Sequence, residues 1–124
     1  MFIFGLNSAE VDALWSSGYN AASYYSSNEK LMRAVNTLNT GFAGESFSDI
    51  AVYLLSGNGV ADPYMCMADF ESYYLTHKYA TEVYRNKEKW NRMSLMNIAA
   101  AGFFAADRSI EEYAQRIWRL EKIK

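Results

Sequence analysis

Phe2-Ile3-Phe4, closed by Gly5, is an unbroken apolar run of β type, and such a run predicts a strand buried on both faces rather than a half-exposed one. A strand of that kind needs neighbours. Nothing later in the 124 residues has comparable strand character, so its partners are expected outside this sequence. From Asn7 onward the patterning is helical. The expected fold is therefore mainly α, with one short N-terminal strand and a single helical segment spanning residues 1–124.

The helical expectations rest on caps and spacing. Asn7 can cap a helix with Glu10 at its third position, Val11, Leu14 and Trp15 form one face, and Gly18 can stop it. A short helix follows around Ala21 to Tyr25. Asn28 then caps a run with Leu31, Ala34, Val35 and Leu38 at helical spacing, closed by Gly41. Ser46 with Asp49 has the form of a capping box ahead of Phe47, Ile50, Ala51, Leu54 and Leu55. SGNGVADP at 56–63, with two glycines and the sole proline, predicts a loop.

A long helix is expected from about Met67 to Tyr84. Cys66, Phe70, Tyr73, His77, Ala80 and Tyr84 share one stripe of it, at steps of three and four residues. RNKEK at 85–89 predicts a polar break. Trp90 to Ala101 then predicts a helix apolar almost all round after Met93, hence deeply buried, and ended by Gly102. Ser109 and Glu112 have capping-box spacing for a last helix. Ile110, Tyr113, Ala114, Ile117 and Trp118 would be its buried face, with Arg116, Arg119 and Lys122 near its negative pole.

Bulk properties narrow the function classes. Net charge is −2, with net −4 over residues 1–62 (six acids, two bases) and +2 over 63–124 (eight acids, ten bases). That balance argues against nucleic acid or an anionic membrane as a partner. One cysteine, Cys66, forms no internal disulfide, and with one histidine there is no Cys/His cluster for a metal; a cytoplasmic setting is expected. The longest apolar run, IAAAGFFAA at 98–106, is far short of a membrane span. Ten Tyr, seven Phe and three Trp point to cores or contact surfaces.

The candidate chemistry is sparse. His77 lies on an aromatic stripe with no nucleophile or carboxylate at fixed spacing, so a packed histidine outweighs a general base. Cys66, between two methionines, has no flanking base to lower its pKa and is expected to be an inert packed thiol. Asp69 with Glu71, and Glu111 with Glu112, point to different faces of a helix and cannot converge on one substrate atom. SGNG at 56–59 lacks the lysine of a phosphate loop. Tyr and Trp residues could stack sugars, but most fall at core spacing. In Asp107-Arg108-Ser109, capping accounts for Asp and Ser; an ion pair or interface contact is expected of Arg108 ahead of a phosphate clamp.

Taken together, FIFG at 2–5, GYNAASYY at 18–25, ADFESYY at 68–74, W-N-R-M at 90–93, NIAAAGFFAADRSIEEYA at 97–114 and IW at 117–118 resemble the C-terminal end of the α-1,4-glucan phosphorylases, the glycogen, starch and maltodextrin phosphorylases. The runs are collinear over nearly the whole chain. Family members typically carry Ser where this chain has Ala101, two serines where it has Ala105 and Ala106, and Thr where it has Ser109.

The resemblance implies a parent with two Rossmann-like glycosyltransferase domains. That parent uses orthophosphate to cleave terminal α-1,4-glucosidic bonds, releasing α-glucose 1-phosphate, with pyridoxal phosphate held on a lysine within a K-x-x-x-N-G run. None of Lys30, Lys78, Lys87, Lys89, Lys122 or Lys124 sits in such a run, so no catalytic, cofactor-binding or metal residue is carried over. The implied role is that of a C-terminal piece of the enzyme's C-terminal domain, structural and inactive alone. Its partners would be the rest of the chain, with self-association when isolated. The rival is a free-standing helical module that binds glucan or a protein.

Overall fold

The computed structural model describes residues 1–57 and 59–120. Lys122 and Lys124, expected near the end of the last helix, lie outside the described residues, as does Asn58 of the SGNG turn. Seven α-helices follow in chain order: α1 (Ser8–Ser16), α2 (Ala21–Ser27), α3 (Glu29–Thr40), α4 (Ser48–Leu55), α5 (Cys66–Arg85), α6 (Lys87–Ala100) and α7 (Ala106–Glu112). A 3-10 turn at Ala101–Phe104 precedes α7 and a π-type turn at Tyr113–Trp118 follows it. Two compact units result, Phe2–Tyr79 and the residues from Ala80 onward with Met1, the boundary falling inside α5.

Within Phe2–Tyr79 the starts are set by asparagines. Asn7 and Glu10 form a reciprocal capping box, Asn20 accepts from the Ala22 amide, and Asn28 accepts from Lys30 and Leu31. Each satisfies amides that the first helical turn leaves without an internal acceptor. The core is Ala21, Leu31, Val35, Ala51 and Met67, with Tyr24, Tyr25, Leu38, Leu54, Leu55 and Phe70 packed around it. Two of those five residues are alanines, so apolar burial is modest, and polar fastening matters correspondingly.

Phe2–Phe4 pairs with no strand among the described residues. A strand is favoured only when its N–H and C=O groups ladder onto a neighbour, and here the neighbour is a helix. Residues 2–6 run antiparallel along α5 instead. Phe2 packs edge-on to Tyr79 at 5.8 Å, Thr76 Oγ1 donates to the Ile3 carbonyl at 3.5 Å, and Phe4 packs edge-on to Tyr73 at 5.1 Å. The Gly5 amide donates to Ser72 Oγ at 3.1 Å and the Leu6 amide to Asp69 Oδ1 at 2.8 Å. The strap thus descends α5 by about one turn for each one or two of its own residues. Gly5 has φ +85°, and a Cβ there would lie 2.6 Å from Asp69 Oδ2.

Several local expectations are corrected. Ser46 is no cap: α4 begins after Phe47 without a side-chain acceptor, and Ser46 Oγ meets Ser48 Oγ instead. The polar break at 85–89 shrinks to Asn86, whose side chain accepts from the Lys89 amide and starts α6 three residues before Trp90. Gly102 lies within the 3-10 turn that continues α6. Ser109 lies inside α7, which begins at Ala106 with no side-chain cap, and its Oγ faces the Ala105 carbonyl.

Burial also departs from the sequence pattern. On α5 the buried side chains are Met67 and Val83, whereas Cys66, Tyr73, His77 and Tyr84 of the expected stripe are exposed. Leu95, Met96 and Ile98, expected deep in a core, are about two-thirds exposed, and Ile110, Tyr113, Ile117 and Trp118 are exposed as well. From Tyr84 to Leu120 no residue is buried. Apolar helix faces left open to water in this way mark contact surfaces.

Candidate functional site

Asp62, at the end of the glycine-rich loop, is completely buried. Its Oδ1 accepts from the Cys66 amide at 2.9 Å and its Oδ2 from the Met67 amide at 2.7 Å, the first two amides of α5. The Tyr19 hydroxyl donates to Oδ2 at 2.7 Å. One carboxylate therefore fastens three pieces: the residue after the α1 stop, the loop, and the positive end of a 20-residue helix. Asp62 and Met65 both hold left-handed backbone, at φ 46° and 59°, and the Met65 amide donates to the Asp62 carbonyl at 3.0 Å. Left-handed backbone costs a non-glycine residue roughly 1–2 kcal/mol, which this set of bonds offsets.

The electrostatics around Asp62 disfavour reactivity. Burial, then the bond and charge of Asp62, push the Tyr19 hydroxyl far above its ordinary value of 10.0. Cys66 is exposed as a residue, but partial shielding of its thiol first and the Asp62 charge second push that thiol up from 9.0. Neither group is a nucleophile or base near neutrality.

A pH dependence follows from the same two groups. Both hold their protons longer in the folded chain than in the unfolded one, so their contribution is fully present below about pH 9 and is lost as pH rises. The urea midpoint is expected to fall between about pH 9 and 11, and Tyr19→Phe to remove most of that fall. An identical fall in Tyr19→Phe would assign it to other groups.

The residues singled out by sequence lie apart. His77 packs against Tyr73 at 6.0 Å on an exposed face. Cys66 is exposed rather than packed, which corrects the expectation for it; only its backbone amide enters the Asp62 cluster. Asp69 accepts from the strap at Leu6, and Glu71 Oε2 accepts from Asn28 Nδ2 at 2.9 Å, so the two carboxylates serve different elements. Among the described residues no three His, Cys, Asp or Glu side chains converge to hold a metal ion. No described helix is long and apolar enough to cross a membrane.

In the residues beyond Ala80, the conspicuous polar cluster surrounds Arg108. Its guanidinium donates to the Phe103 carbonyl and to Glu112 Oε1, and lies 4.3 Å from the Phe103 ring centroid. Arg116 approaches Glu112 Oε2 at 3.5 Å. Arg108 thus ties the 3-10 turn to α7, and Glu111, one residue from Glu112, lies on another face. A structural ion pair is what this geometry provides.

Sequence reasoning missed Asp62 because an Asp-Pro in a Gly-rich stretch has the composition of an ordinary turn. The available signal was its place four and five residues before the amides that open a long helix.

A profile of the carbohydrate phosphorylases matches residues 1–120. The chain belongs to the carbohydrate phosphorylase family. Among curated relatives it is 36% identical over 124 residues to a glycogen phosphorylase of Synechocystis sp.. It is 38% identical over 125 residues to the brain form of glycogen phosphorylase from Ovis aries, and 36% identical over 121 residues to the liver form from Homo sapiens. Each match covers 98% of this chain and 14% of the relative, so the chain corresponds to a small segment of a glycogen phosphorylase.

The residues described do not fit pyridoxal phosphate. A Schiff-base lysine needs an enclosed, partly desolvated setting, whereas Lys30, Lys78, Lys87 and Lys89 are all exposed. Lys30 and Lys78 lie over the Tyr74 ring at 4.1 and 5.8 Å, and Lys87 lies over Tyr84 at 3.1 Å. No catalytic step is derived through the cofactor on this chain.

Proposed function

We propose that this chain is the C-terminal part of the C-terminal domain of a cytoplasmic α-1,4-glucan phosphorylase, structural in role and without activity alone. The parent would phosphorolyse α-1,4-glucan to α-glucose 1-phosphate with pyridoxal phosphate bound elsewhere, and no residue of this chain would enter catalysis. The observation that carries this is the exposed apolar series Leu95, Met96, Ile98, Phe103, Phe104, Ile110, Ile117 and Trp118. A series of that size calls for a covering surface, and the 86% of each relative that the chain does not span (100% less the 14% matched) can supply it.

Nucleic acid and membrane have no place in this role. The isolated chain is expected to self-associate through the same residues. The test is to purify it alone and co-expressed with a phosphorylase deleted for the matching segment. Alone, it should elute above monomer size and form no glucose 1-phosphate; co-expressed, it should co-purify in a defined stoichiometry and restore activity. Glucose 1-phosphate formed by the pure chain, or a failure to co-purify, would overturn the proposal.

A further inference from the structure

Helix α4 carries a second uncovered face, and it belongs to the Phe2–Tyr79 unit. Ile50, Val52 and Tyr53 are 44, 55 and 46% exposed and, with Asp49 and Gly57, line a hollow of about 460 Å³. Among the described residues the Tyr53 ring meets no other ring, and Asp49 forms no ion pair. The sequence has no Lys or Arg between Arg33 and Lys78, so α4 lacks a base from its own stretch of chain. Asp49 favours the positive end of α4, but that leaves its carboxylate at the surface beside the hollow.

A surface that fits this face is apolar and basic, and the same chain carries one. Over residues 2–79 there are eight acids and three bases, net −5; over residues 80–124 there are six acids and nine bases, net +3. On α6, Leu95 and Met96 are 66 and 65% exposed, and Arg92 stands one turn before them. Glu88 lies a turn before Arg92, yet no ion pair joins the two. Both helices therefore hold the same order of groups, a charge at one position and apolar side chains three and four positions on. Asp49 is followed by Val52 and Tyr53, and Arg92 by Leu95 and Met96. Residues at those spacings share a helix face. Laid side by side in the same direction, the two faces set opposite charges together and apolar pairs together.

We propose that α6 of one copy docks in parallel on the α4 face of a second copy, with Arg92 against Asp49 and with Leu95 and Met96 in the hollow beside Tyr53. This rests on the reading above, in which the α6 series is uncovered in the isolated chain, and it names what covers that series there. The two faces differ, so the contact is heterologous: each copy offers one of each, and association continues past a dimer into a ring or an open chain. The rival is a symmetric contact of one apolar α6 face with another, in which α4 has no part.

Sedimentation equilibrium of the full 124-residue chain separates the two. Asp49→Arg and Arg92→Asp each place like charges together at the contact, and each alone should weaken association about tenfold. An equimolar mixture of the two restores opposite charges at every contact and should return association to within about threefold of the unmodified chain. Asp49→Asn and Arg92→Gln introduce no repulsion and test the pair in a milder way. Each should weaken association about threefold, and the double variant should be no weaker than either single one. Helical circular dichroism confirms that each variant is folded. Undiminished association in the single variants, a mixture no heavier than its components, or masses that stop at the dimer would overturn the proposal. None of these results bears on whether the unmodified chain co-purifies with a phosphorylase lacking the matching segment, so the two readings fail separately.

Discussion

Asp62→Ala is expected to lower the stability of the Phe2–Tyr79 unit by about 3 kcal/mol. The substitution leaves the Cys66 and Met67 amides and the Tyr19 hydroxyl without their acceptor at the fully buried Asp62 position. Hydrogen bonds to a charged group contribute roughly 1.5–3 kcal/mol each, and the carboxylate's own desolvation cost is recovered when it is removed, so the net lies near one to two such bonds. A unit with a small core has total stability at the lower end of the usual ~5–15 kcal/mol, so the loss is a large fraction of it. Asp62→Asn keeps the shape but only one acceptor oxygen, with its NH2 turned toward at least one of the three donors, so it should recover only part of that loss. Urea unfolding followed by helical circular dichroism measures both. A change below about 0.5 kcal/mol in Asp62→Ala would mean that the bonds merely balance the cost of burying the charge.

Gly5→Ala should detach the strap. The residue holds φ +85°, which an alanine adopts at a cost of roughly 1–2 kcal/mol, and its new Cβ would displace the Asp69 carboxylate. The Leu6 amide then loses its 2.8 Å acceptor. Together these give a local destabilisation of about 2 kcal/mol, or roughly a 30-fold fall in hydrogen-exchange protection at Leu6. Asp69→Asn separates the contributions, since it weakens the same bond without altering the backbone. Unchanged protection in Gly5→Ala would show that the Phe2–Tyr79 and Phe4–Tyr73 ring contacts hold the strap unaided.

Helix positions were legible where a cap and a periodic face agreed. Asn7 with Glu10, Asn28 with Leu31 and Val35, and Gly18 and Gly41 at helix ends all behave in the structure as their chemistry dictates. Ser46 and Ser109 show the opposite: capping-box spacing occurs by chance where serine is common, and only the backbone at the preceding residue decides whether a helix starts there. The β character of Phe2–Phe4 was real, but pairing is a property of two segments, and among the described residues this one lies along α5 and pairs with no strand. Burial on α6 and α7 was misjudged for a related reason, because an apolar pattern reports what a helix is suited to face and not whether that surface is present. Asp62 was missed because one of its three partners, Tyr19, is 43 residues away and the local signal, its place four and five residues before the first amides of α5, has the composition of an ordinary turn.

The strap has a consequence for the order of events during translation. Residues 2–6 leave the ribosome before the face of α5 that receives them exists, since the Gly5 amide and its acceptor Ser72 are 67 positions apart. At roughly 5–20 residues per second that gap is about 3–13 s. Throughout it, two phenylalanines and an isoleucine of the nascent chain lack the helix face that receives them. That interval is when a chaperone would have something to hold, and slow codons between positions 6 and 69 would lengthen it without changing a single contact in the finished protein.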